Sequence, residues 1–218
     1  MTKLSPQSEV AAQAWDALWP ILVEDAKYAE EEARRLATSA ARRTAVRTLF
    51  SCLEGAIYLQ RLLPLVSSTI RPDRFTAAEI ALLKEETYIL TSDGSPKTST
   101  RFLRIEENLL FTIRMVSKLC GTDPEIDLAS EGWRCIKESV RVRHRVTHPR
   151  TKVDLDVTPE EFERLITGYK WASHCMLKAM ANTVLKLLDE DKALKKRFSQ
   201  MEASTTATQS GEQKKSET

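Results

Sequence analysis

Residues 141–150 read RVRHRVTHPR and hold two of the chain's three histidines and four of its arginines. On a helix of ~3.6 residues per turn, His144 and His148 point the same way, and Arg143 and Thr147 form the adjacent stripe. Val142 and Val146 fall on the other side, in line with Cys135 and Ser139, and are expected to pack the core. His148 stands in the last turn before Pro149. Unpaired carbonyls at a helix end favour positive charge there.

An arginine–histidine group of this kind has the parts for cleaving RNA without a metal. Histidine can take the proton of a 2′-hydroxyl or give one to a leaving oxygen. Arginine stays charged and offers a planar fork to a phosphorane. One copy of the segment offers few proton-transfer groups, and a two-fold dimer joining two such helix ends would double them. Two other readings stay open on spacing alone. Cations gather at helix C-termini for dipole reasons, which would leave only a solvated basic end. Histidines at i and i+4 can also clamp zinc. However, no HExxH is present and the neighbours are cations that repel metal, so neither a metal nor a cofactor is expected.

The helices that must position this segment are written in the composition. The chain has 218 residues, 42% hydrophobic and 29% charged, with only 6 Gly and 8 Pro, which argues against a loop-rich β protein and favours helix. A net charge of +2 carries no bulk signal for nucleic acid, so such a signal must come from local clustering. Four cysteines (Cys52, Cys120, Cys135 and Cys175) are widely spaced with no CxxC, and the start MTKLSPQSEV lacks a secretory apolar run. Free thiols in a reducing cytoplasm are expected. LLPLV at 62–66 is far shorter than the ~20 residues that cross a bilayer, so no membrane partner is expected. No P-loop, Rossmann glycine pattern or GxSxG elbow is present, which disfavours nucleotide hydrolysis and hydride transfer.

Along the chain, Ser5-Pro6 opens a helical pattern that Pro20 should kink or split. Thr38 and Ser39 mark a break and a new cap. Val46, Leu49, Phe50, Leu53 and Ile57 then recur at helical spacing, with Arg43, Arg47 and Glu54 on the other face, until Pro64 and RPDR end the segment. Thr76 to Glu79 is a capping box. Residues 87–103 change character: β-prone residues flank a Ser-Asp-Gly turn, giving a small hairpin or loop insertion. Helix resumes to Gly121, and again through the RVRHRVTHP segment. VDLDV reads as an extended link, and Thr158-Pro-Glu-Glu161 as a strong helix start. The four tryptophans (Trp15, Trp19, Trp133 and Trp171) read as core or dimer-interface residues, and His174 as a packing residue. The expectation is one all-α domain over residues 1–200, with five or six helices, and a disordered tail over 204–218.

Arg143, a polar residue, three more and His148 resemble the R-x-x-x-x-H motif of HEPN domains. The resemblance covers residues 40–190 and takes in Trp133, the closing THP, the start TPEEFERL and the earlier helix with its lone Glu54. It implies a HEPN-like helical bundle with the motif lining a homodimer cleft, and a metal-independent endoribonuclease in a stress, toxin or defence setting. Carried over, Arg143 would bind the scissile phosphate, His148 would act as acid or base, and His144 would assist. Glu54 would support Arg143, although pairing with Arg47 is an equal alternative. Arg141, Arg145 and Arg150 would contact flanking phosphates of RNA. An antitoxin or regulatory protein partner is compatible with that setting. A non-catalytic HEPN-like module binding RNA, nucleotide or protein is the alternative.

Overall fold

In the computed structural model the chain begins with two antiparallel helices, α1 (Pro6–Leu36) and α2 (Ser39–Ile70). The structure describes residues 6–213, and the side chains of residues 7, 190, 191 and 193–213 lie outside that description. The expected cap Ser5 is likewise outside it. Ala37, at φ 52°, reverses the chain, and the Thr38 side chain caps α2 by accepting from Ala41 N at 3.2 Å. Small residues let the two helices approach closely. Ala26, Ala29 and Ala33 of α1 are buried in the core that α2 supplies with Val46, Leu49, Phe50, Leu53 and Ile57. A Cβ on Gly55 would stand 2.8 Å from Leu22 Cδ1.

Two prolines lie inside helices. Pro20 does not split α1, and α2 passes through Pro64, where an end was expected, to stop at Ile70 just before RPDR. A proline inside a helix removes one hydrogen bond and costs about 3 kcal/mol. Burial along the α1–α2 seam outweighs that local loss. α2 also holds an 18-residue window apolar enough to cross a membrane, contrary to the expectation that no segment would approach that length. Half of the window is buried inside the protein.

Helix α3 (Ala77–Leu83) starts on the expected capping box, with both Thr76–Glu79 bonds present. Strands β1 (Glu86–Leu90) and β2 (Pro96–Thr100) form an antiparallel hairpin pairing Glu86 with Thr100 and Leu90 with Pro96. Its turn needs Gly94 at φ 78°, and Asp93 accepts from Ser95 N. The hairpin delivers the chain to α4 (Ile105–Lys118).

α5 (Glu131–Thr147) and α6 (Pro159–Gln213) pack closely because glycines face each other's helix. A Cβ on Gly168 would come within 2.7 Å of Ile136 N, and one on Gly132 within 2.2 Å of Trp171 Cγ. The Trp133 and Trp171 rings lie 5.6 Å apart on this seam. Cys135, Ser139, Val142 and Val146 are all buried, as the spacing implied. VDLDV contains a 3₁₀ turn, Val153–Leu155, in place of an extended link. His174 is exposed and so is no packing residue. The backbone of 204–213 continues α6, where composition pointed to a disordered tail. Once a helix is nucleated each further residue adds one bond. Residues 214–218 lie outside the described residues.

The architecture is thus all-α: six helices and one two-stranded hairpin among the described residues. All four cysteines are buried, and none is joined to another by a disulfide.

Candidate functional site

The end of α5 is held in place from two sides. Ser130 caps its start by accepting from Trp133 N at 3.3 Å. At its end three carbonyls take bonds from outside the regular helix ladder. Thr147 Oγ1 donates to Arg143 O at 2.7 Å, His148 N donates to His144 O at 3.0 Å, and Arg47 Nη2 of α2 donates to Val146 O at 2.6 Å. Arg43 and Arg42 continue the grip, donating to Leu155 O and Val157 O in the loop that follows. This row of α2 arginines fixes where the motif stands. Its i, i+4 spacing was visible in the sequence, but its carbonyl partners were not.

The loop after the motif is closed by Asp154. Its Oδ2 accepts from Arg150 N at 2.9 Å, Thr151 N at 2.7 Å and Thr151 Oγ1 at 3.0 Å. Those bonds hold the Asp154 carboxyl below its ordinary range. Arg145 is drawn into the same structure. It donates to Asp154 O at 2.9 Å and Asp156 O at 2.7 Å, and pairs with Glu161 at 2.5 Å. Glu161 also closes the Thr158 capping box of α6. Arg145 therefore ties the end of α5 to the following loop and to the start of α6.

Arg143, His144 and Arg141 line one groove of about 880 Å³. α2 forms its floor with Glu54, Ile57, Tyr58 and Arg61, and the hairpin exit and start of α4 form the far wall with Phe102 and Asn108. Arg143 Nη2 donates to Glu54 Oε1 at 2.8 Å, so Glu54 meets Arg143 and not Arg47. At the other end of the floor, Arg61 is buried and donates to Glu85 at 2.6 Å. His148 stands outside the lining, with its ring centroid 5.4 Å from that of His144 and the planes tilted by 60°. Both rings are exposed, and Arg150 is exposed beyond them.

The structure thus brings together Arg143, His144, Arg141 and Glu54, sets His148 against His144 at the rim, and separates Arg145 and Arg150 from the groove. Among the described residues no group of three or more His, Cys, Asp and Glu side chains could hold a metal ion. Chemically, the site offers a fixed guanidinium, a pair of imidazoles in contact and an open trough beside them. The far wall was missed in the sequence, because Phe102 and Asn108 carry no local signal that they would face residue 143.

Comparison of the chain with family models, with curated proteins and with solved structures gives no match.

Proposed function

We propose that this protein is a HEPN-type, metal-independent endoribonuclease acting as a homodimer in a stress, toxin or defence setting. The observation that carries the reading is the placement of Arg143. It borders an open groove, is anchored by Glu54 at 2.8 Å, and lies beside the His144–His148 pair.

In the reaction, one imidazole takes the proton of an RNA 2′-hydroxyl, and that oxygen attacks the adjacent phosphorus. The bond from phosphorus to the 5′ oxygen breaks, and an acid returns a proton to the leaving oxygen. The products are a 2′,3′-cyclic phosphate and a 5′-hydroxyl. Arg143 holds the phosphate and stabilises the added charge. His148 moves the proton, and His144, in ring contact with it, sets its orientation. The same pair from a second copy, meeting across the groove, supplies the complementary acid or base.

A second reading is a non-catalytic module that binds RNA, nucleotide or a protein partner. Two observations favour it: Glu54 already engages Arg143, and His148 stands outside the groove lining.

Purified protein incubated with mixed RNA in EDTA separates the two. Cleavage leaving cyclic phosphate ends, lost in His148→Ala, is the expected result. Salt-sensitive RNA binding with no cleavage would favour the second reading instead.

A further inference from the structure

The groove extends well beyond Arg143, and the proposed chemistry leaves that part unused. Phe102 stands on its rim at 88% exposure. Tyr58, one helical turn beyond Glu54, is 45% exposed on the floor. Asn108 also lines the groove, and its Oδ1 is buried without a hydrogen-bond partner. Four arginines face three glutamates across the lining, and Arg104 and Arg141 have no ion-pair partner among the described residues.

We propose that this part of the groove is a subsite for an unpaired RNA base next to the phosphate held by Arg143. The inference rests on the ribonuclease reading of the same groove. Each element fits that ligand. Aromatic faces open to water are platforms for base stacking, a contact every base can make. An asparagine amide both donates and accepts, so once the Asn108 side chain turns its unpartnered oxygen towards the groove it can pair with the polar edge of a base. Unpaired guanidinium groups alongside suit the flanking phosphates. A volume of about 880 Å³ lies within the range of small-molecule sites. A duplex keeps its bases stacked and cannot offer a base face to Phe102, so the substrate is single-stranded RNA. Asn108 is then the specificity-determining residue, and Phe102 the stacking one.

The test uses the full chain carrying His148→Ala, so that bound RNA stays intact. Short single-stranded RNAs carry 2-aminopurine, whose fluorescence is quenched on stacking. Binding with quenching is expected, together with weaker binding of the same sequence as a duplex. Phe102→Ala should weaken binding about tenfold and remove the quenching, while Phe102→Trp keeps both. Asn108→Ala should change the ranking of oligomers that differ in one base. Four results would overturn the subsite: no RNA binding, equal affinity for duplex, equal displacement by free mononucleotides, or Phe102→Ala behaving as the parent. The two proposals fail separately. Base-dependent binding by a wild-type protein that never cleaves sinks only the ribonuclease reading. Cleavage indifferent to Phe102 and to base identity sinks only the subsite.

Discussion

Arg143 on α5 reaches Glu54 on α2, Nη2 to Oε1 at 2.8 Å, and so ties the two helices together beside the groove. Their side chains are 34% and 46% exposed. Ion pairs this open to water contribute ~0–1 kcal/mol. The contact therefore does little for stability and much for the aim of the guanidinium. Glu54→Gln is expected to lower unfolding free energy by less than about 1 kcal/mol. RNA cleavage should fall at least about tenfold as Arg143 loses its anchor. Denaturant titration and initial rates on one RNA measure the two effects separately.

The arginines of the 141–150 segment should divide into two groups. Arg145 donates to two carbonyls and a carboxylate, so Arg145→Met is expected to cost about 2 kcal/mol of stability. Arg141 and Arg150 are exposed, and their Met variants should unfold like the parent. If they meet phosphate, each removal lowers the salt slope of RNA binding by about one. Thermal unfolding and salt-dependent binding of the three variants show whether the groups separate this way.

Gly168 sets the spacing of α5 and α6. A methyl group there would meet backbone, Ile136 N at 2.7 Å and the Cys135 carbonyl carbon at 3.0 Å, which cannot swing aside. Gly168→Ala is expected to cost about 1–3 kcal/mol. It should also lower cleavage by shifting the turn that carries Arg143. A variant as stable as the parent would show that the helices can separate without cost.

Burial pushes the Cys52 thiol up from 9.0 to about 11 and the Tyr169 hydroxyl up from 10.0 to about 12. In each case the unfolded chain loses its proton first as pH rises. The folded state then binds more protons, so stability falls with rising pH. The Cys52 contribution is present below pH 9 and is lost between 9 and about 11. Cys52→Ala should flatten the first part of that decline, as read from denaturant midpoints across the alkaline range. Below pH 9 the native protein should resist thiol reagents, since all four cysteines are buried.

What could be read from the sequence was local. The caps at Thr76 and Thr158 depend on residues three apart, and both form. The buried faces of α2 and α5 follow helical period, and both face the core. What could not be read depends on distant contacts. Pro20 and Pro64 stay inside helices because packing overrides their local penalty. His174 has apolar neighbours in sequence yet faces solvent. Arg145 sits in the same basic run as Arg141, but the Asp154 loop and Glu161 claim it. The groove combines α2, α5 and the hairpin exit, so no single stretch announces it.

The central claim is that Arg143 and His148 together break a phosphodiester without metal. The most direct measurement is the single-turnover rate on one defined RNA in EDTA, for the parent, Arg143→Ala and His148→Ala, with the ends of the products identified. The expected result is cleavage by the parent to cyclic phosphate and 5′-hydroxyl ends, slowed by about 10²-fold or more in each variant. Equal rates in all three proteins, or a requirement for added divalent metal, would contradict it.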